Sequence, residues 1–185
     1  MSPSDSAPHR VETPPLENLR VVLDRLASAQ IPHALGGSAL LASLGLAPHV
    51  HDWDVTADVD IDRLVELLRD FAGERFDSSG VHADHKLTLF GGEVEVIARF
   101  ALRSDAGVFR VPLRVSGAWR GLPIASPEAW AVAYALMGRD AKAEALFEHL
   151  GRHGAHAEAV EAILAQPLPE AIARRLETLP VTDAP

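Results

Sequence analysis

Between positions 16 and 29 the leucines fall at Leu16, Leu19, Leu23 and Leu26, with charged residues between them. That period of three to four predicts an amphipathic helix, ended near Gln30 because Pro32 bars its continuation. The short apolar run 31–35 predicts a first strand. Gly36-Gly37-Ser38 then opens a second helix over 39–46, which stops near Pro48. From 50 to 56 the period drops to two: Val50, Asp52 and Asp54 share one face, and His51, Trp53 and Val55 the other, as in a strand. Leu64, Leu67, Leu68 and Phe71 form the buried stripe of a helix over 61–71, with Asp58 or Asp60 positioned to cap it.

Residues 74–124 have a β texture. The segments 85–90 and 93–100 read as strands joined through Gly91-Gly92, a hairpin signal. A further pair is expected over 108–115 and 118–124, the second interrupted by Gly121 and Pro123. Past that point the pattern is helical: Ser126 as cap, Pro127 as first helical residue and Glu128 in the first turn form a strong helix start. Helices are expected at about 127–137, 139–150, 155–166 and 169–179. The expected fold class is α/β (α+β), a mixed sheet core flanked by helices with a C-terminal helical region. The division is 1–15 as a flexible lead-in, 16–126 as the core and 127–185 as the helical region.

Composition narrows the chemistry. Cysteine is absent, which excludes disulfides, thiolate metal sites and a cysteine nucleophile. No run approaches the roughly 18 apolar residues of a membrane span, and the Ser- and Pro-rich start lacks the apolar segment of a signal peptide. The expectation is a cytoplasmic protein without membrane contact. Seventeen basic against 26 acidic residues give a net charge of −9, which repels a polyanion unless cations are concentrated locally. A small molecule or a protein is therefore favoured over nucleic acid as a partner. Neither a Gly-x-Ser-x-Gly elbow nor a Walker-type loop occurs.

Two Asp residues one apart on a strand point to the same face. Asp52 and Asp54 therefore offer the hard oxygen ligands that magnesium prefers, with phosphate oxygens and water completing its octahedron. Gly36 and Gly37 at a strand-to-helix junction let backbone N–H groups approach phosphate oxygens, and the helix start adds positive potential. Ser38 brings a hydroxyl donor to the same place.

A Gly-Gly-Ser turn, a helix, and an Asp-x-Asp strand thirteen residues further on (39–51 intervening) resemble the signature of the DNA polymerase β-like nucleotidyltransferase superfamily. The resemblance spans about residues 16–150 and implies a nucleoside triphosphate, with ATP the first choice, bound with two Mg ions. Asp52 and Asp54 would be metal ligands, and Gly36, Gly37 and Ser38 would hold phosphates. It also implies a third carboxylate on a later strand, as metal ligand, acceptor base or both. Glu93 and Glu95 share one strand face, and Glu95, set between valines inside the strand, is preferred to Glu93 beside the hairpin glycines. The segments 122–128 and 136–142 are similar to the helical region of small bacterial nucleotidyltransferase-like proteins, which makes Arg139 and Lys142 candidate phosphate contacts. Ala143 stands where those proteins carry an acid. The implied reaction moves a nucleoside monophosphate to a hydroxyl or phosphate of an acceptor. The rival readings are a catalytically inactive binding or regulatory module, as in a toxin–antitoxin pair, and a metal-dependent hydrolase using the same acids.

Other residues have plainer readings. Trp53 is expected to pack on the face away from the acids, and Trp130 and Tyr134, four apart, in the core. Asp84-His85-Lys86 opens a strand near the site, with Lys86 placed for a phosphate or for a solvated edge. His49 and His51 read as loop or surface residues. His149, His153 and His156 would align for zinc only if one helix ran through Gly151 and Gly154, and the glycines favour a break.

Overall fold

A computed structural model describes residues 11–182. Helix α1 (Glu17–Ser28) leads into strand β1 (His33–Leu35), the short helix α2 (Gly37–Ser43), strand β2 (Trp53–Ala57) and helix α3 (Ile61–Leu67). Strands β3 (Gly73–Phe76), β4 (His85–Leu89) and β5 (Val94–Ala98) follow, the last two joined by a 3-10 turn at Phe90–Gly92. Two hairpins come next, β6 (Ala101–Ser104) with β7 (Gly107–Arg110) and β8 (Val115–Trp119) with β9 (Leu122–Ala125). The rest is helical: α4 (Pro127–Leu136), α5 (Asp140–His153), α6 (Ala157–Leu164) and α7 (Glu170–Glu177). The two-residue strands β10 (Ala155–His156) and β11 (Val181–Thr182) tie the start of α6 to the segment after α7.

Seven strands form one mixed sheet in the order β3-β4-β5-β2-β1-β9-β8, the α/β architecture expected. Its centre is the parallel pair β2/β5, flanked by antiparallel β1 and β4. Register in that pair sets Trp53 beside Val94, Asp54 beside Glu95 and Val55 beside Val96. Trp53, Val55, Val94 and Val96 are fully buried, so one face of the central pair is dry while the carboxylates stand abreast on the other. Leu19, Val22 and Leu26 of α1 are fully buried too, and the Trp53 indole N–H donates to the Pro15 carbonyl at 3.2 Å.

Helix α4 is apolar on every side, with the whole stretch from Ala129 to Tyr134 buried. A helix without a polar face is stable only when enclosed, and α4 lies packed against α5, α6 and β6. Its start has the predicted cap, with the Ser126 hydroxyl accepting from the Ala129 N–H at 3.3 Å. Among the described residues no helix is long and apolar enough to cross a membrane.

Several expectations need correction. The third helix ends at Leu67 rather than 71, and Asp60 at its N-cap makes no capping bond. Arg99, left-handed at the end of β5, draws the Asp60 carboxylate away at 2.6 Å. The pair expected over 108–115 and 118–124 is instead two separate hairpins. Arg120 and Gly121, both at positive φ, are the tight turn of the second hairpin rather than an interruption in a strand. Helix α5 runs through Gly151 to His153, because Ala143, Leu146, Phe147 and Leu150 are buried along its stripe and outweigh the glycine's roughly 1 kcal/mol penalty. It stops at Gly154, which is left-handed. Residues 1–10 of the expected lead-in lie outside the described residues. Residues 11–15 run against the body, with Glu12 pairing across to His49 through hydrogen bonds to Pro48 and Val50.

The cap gives a direct test. Ser126 also donates to the buried Glu128 carboxylate, whose other oxygen accepts from the His156 N–H at 2.8 Å. Ser126→Ala removes both the cap and one of these partners. It is expected to lower stability by about 1–3 kcal/mol in chemical denaturation, without loss of helical circular dichroism.

Candidate active site

The Asp54 and Glu95 side chains meet because parallel strands place paired residues on the same face. Asp52 joins them from the turn that enters β2, and one oxygen from each of the three carboxylates lies within 4.8 Å of the others. Among the described residues this is the one group of three or more potential ligands so close together. Glu93 stays outside it, accepting from the Asn18 amide at 3.2 and 3.3 Å. The histidine trio does not assemble: the His149 and His153 rings are 4.4 Å apart on α5, while the His156 ring accepts from Arg114 at 2.7 Å.

The glycine turn is locked to the acids by contact as well as by chain order. Gly36 donates its N–H to the Asp54 carbonyl at 2.9 Å. Gly37 is left-handed (φ 55°), and a Cβ there would lie 1.7 Å from an Asp54 carboxylate oxygen. A Cβ on Gly36 would lie 1.8 Å from the Trp130 ring. Neither position tolerates a side chain while Asp54 and Trp130 keep their places. The Ser38 hydroxyl faces the backbone of the Asp52 turn, accepting from the His51 N–H at 3.4 Å and donating to the Asp52 carbonyl at 3.5 Å.

Cations ring the acids. Lys86 on β4 donates to both Glu95 oxygens, at 2.8 and 2.9 Å, which puts its ammonium beside the acids. Arg139 and Lys142, at the start of α5, lie over the Tyr134 ring at 6.0 and 5.3 Å. Burial, then repulsion from Asp52 and Glu95, raises the Asp54 pKa to about 7, with Arg139 and Lys142 pulling it partly back. Burial and the nearby Asp54 charge also push the Tyr134 phenol up, and its hydroxyl is buried without a hydrogen-bond partner. A carboxyl that holds its proton to neutrality beside two more acids, with a phenol oxygen unmatched nearby, fits a site that receives a cation. The all-oxygen donor set suits magnesium.

A cavity of about 250 Å³ opens beside the acids and runs along β4 from Lys86 to Asp84. Ile97, Phe100, Trp130 and Met137 form its walls. Sequence reading placed Trp130 in the core, where it is, but missed that its ring closes on Gly36 and lines this cavity. Asp84, read only as part of a strand start, lines it as well. The alternation that puts Lys86 on the site face carries Asp84, two residues earlier, to the same face.

The raised Asp54 pKa has a definite sign. Its folded value lies above the ordinary 3.8, so between about pH 4 and 7 the folded state holds a proton that the unfolded state releases. Stability without metal therefore falls as pH rises across that window. Asp54→Asn, which stays neutral, is expected to stabilise the metal-free protein at pH 8 by about 1–4 kcal/mol relative to its effect at pH 4, measured by urea denaturation. Magnesium binding to the wild type should tighten as pH rises through about 7. An Asp54→Asn effect that is the same at both pH values would contradict this account.

Comparison with known proteins agrees with the geometry. No protein-family profile matches the sequence, and no curated protein is similar to it at a significant level. Solved structures do match. A candidate nucleotidyltransferase from Thermotoga maritima is 26% identical, with a TM-score of 0.51 over 75% of this chain and 93% of that one. The antibiotic-resistance factor ANT(2'')-Ia matches in its solution structure at 18% identity and TM-score 0.51, covering 80% of this chain and 87% of that one. Its crystal structure in complex with adenylyl-2''-tobramycin matches at 13% identity and TM-score 0.53, covering 88% and 97%. At that level of identity the two ANT(2'')-Ia structures speak for the fold alone. The chain thus has the nucleotidyltransferase-like fold, and the superfamily resemblance read from Gly36-Gly37-Ser38 and Asp52-Trp53-Asp54 holds in three dimensions.

Proposed function

We propose that this protein is a magnesium-dependent nucleotidyltransferase that moves a nucleoside monophosphate from a triphosphate, ATP first, to a hydroxyl of a small acceptor. The observation that carries the reading is the meeting of Asp52, Asp54 and Glu95 within 4.8 Å beside the glycine turn. An inert module has no need to hold three mutually repelling acids together, so the binding-only reading gains nothing from this site.

In the proposed mechanism Asp52, Asp54 and Glu95 would hold the metal, which would supply charge neutralisation for the attacking and leaving oxygens. The backbone N–H groups of Gly37 and Ser38 receive the outer phosphates, while Gly36, whose own N–H is spent on the Asp54 carbonyl, keeps the turn free of side-chain bulk. Arg139 and Lys142 supply positive charge from the opposite wall. Lys86, which here donates to both Glu95 oxygens, would be free to contact a phosphate oxygen when that carboxylate serves as a ligand. The acceptor oxygen attacks the α-phosphorus in line, the bond to the β-phosphate bridging oxygen breaks, and pyrophosphate leaves. Glu95 accepts the proton of the attacking hydroxyl. The net charge of −9 favours a small acceptor over nucleic acid, and the adenylyl-2''-tobramycin bound to ANT(2'')-Ia supports that reading. ATP supply sets the reaction in the cytoplasm.

Calorimetry of each NTP with Mg, on wild type and on Asp52→Ala/Asp54→Ala, tests the reading. The wild type should bind at least one NTP in a metal-dependent manner, and the double variant should lose affinity by 10-fold or more. A wild type that binds no NTP sinks the catalytic reading, and equal binding by the variant removes the metal-site assignment.

A further inference from the structure

The proposed transfer chemistry uses one end of the cavity. At the other stands Asp84, a carboxylate with no task in it, whose side chain is 4% exposed. Its hydrogen-bond partner is the His82 ring at 3.3 Å, and that ring is itself 43% exposed. The segment is firmly held: Ala83 donates to the Ala101 carbonyl at 2.9 Å, Arg103 donates to the Val81 carbonyl at 2.7 Å, and His82 pairs with Leu102. Asp84 is thus fixed in place facing the cavity, not carried there by a loose loop.

The charges along the cavity are unevenly matched. Lys86 serves Glu95, and Arg139 acts on Asp54 at the metal end. Asp77 at the rim is paired with Arg75 at 2.9 Å and with His85 at 3.1 Å. Asp84 alone among these acids has no Lys or Arg. A carboxylate shielded from water is costly unless a cation meets it. The walls beside it are aromatic: His82 stacks on Phe100, and Phe100 lies 5.3 Å from Trp130. Rings of this kind accept the C–H faces of a polyol and attract an ammonium.

Distance completes the case. Thr88 pairs with Glu95 across β4/β5, and Asp84 lies four residues earlier, about 13 Å along the strand. About 250 Å³ falls below the roughly 300–1,000 Å³ of drug-sized ligand pockets. We infer that the Asp84 end of this cavity is the acceptor subsite and takes a small amino alcohol or single-ring amino sugar, with its ammonium on Asp84 and its reacting hydroxyl toward Glu95. The acceptor role rests on the nucleotidyl-transfer reading above; the preference for an amine rests on Asp84 alone.

The test is calorimetry on the full chain with glucosamine against glucose and 3-amino-1,2-propanediol against glycerol, in Mg and a non-hydrolysable ATP analogue. At least one amine should bind the wild type 10-fold or more tightly than its neutral counterpart. Asp84→Asn should abolish that preference while Mg–nucleotide affinity stays within twofold, and the distant Asp70→Asn should alter neither. No amine preference, a preference that survives Asp84→Asn, or displacement of the amine by adenosine would each overturn the inference. Should Asp84→Asn fail to fold, saturation transfer from the wild-type aromatic protons to the bound amine decides the placement, and its absence counts against it. Loss of Mg–nucleotide binding in the wild type, with amine preference intact, overturns the acceptor role and traces the failure to the nucleotidyl-transfer reading.

Discussion

Three carboxylates within 4.8 Å of one another repel, and left to itself the chain would separate them. The parallel register of β2 on β5 prevents this by fixing Asp54 and Glu95 abreast at the centre of a seven-stranded sheet. Beneath them Trp53, Val55, Val94 and Val96 are wholly buried. Sliding one strand by a residue would turn those side chains toward the site and the acids into the core. The apolar face therefore enforces the polar one, and the energy of the core holds the charges in a geometry that electrostatics alone would reject.

The surrounding structure reads as a response to that concentration of charge. Asp54 holds a proton to about pH 7, Glu95 is clasped by Lys86, and Arg139 and Lys142 approach from the helical side. Helix α4 is the link between the two sides. Its fully apolar surface lets it sit deep enough for Trp130 to touch Gly36 while Tyr134 lies beneath the two cations of α5. Helical and sheet regions thus build the site jointly, though their sequence textures change sharply at Ser126.

Much of this was legible in the sequence because local chemistry and tertiary demand agreed. The α1 stripe, the β4/β5 hairpin and the Ser126-Pro127 helix start each rest on short-range rules, and each appears within a few residues of its expected place. The hairpins of 101–125 were misread because a left-handed Arg120 carries no signal in residue type; only its partnership with Gly121 makes the turn. Helix α5 crosses Gly151 because buried neighbours outweigh a propensity penalty, which no local pattern reveals. At the site, Glu95 could be chosen over Glu93 from its place in the strand. Asp84 was read only as part of a strand start, because its burial depends on β6, a strand that sequence reading did not place.

The contact between Gly37 and Asp54 has a consequence for how such a site changes over generations. Any side chain at position 37 would overlap the Asp54 carboxylate, so while the acid remains the glycine has no viable alternative. The left-handed backbone at Gly37 (φ 55°) is a second hold on the same residue, and it persists when the acid is replaced. Descendants that abandon the chemistry can therefore shed the carboxylate freely, while the turn keeps its glycine.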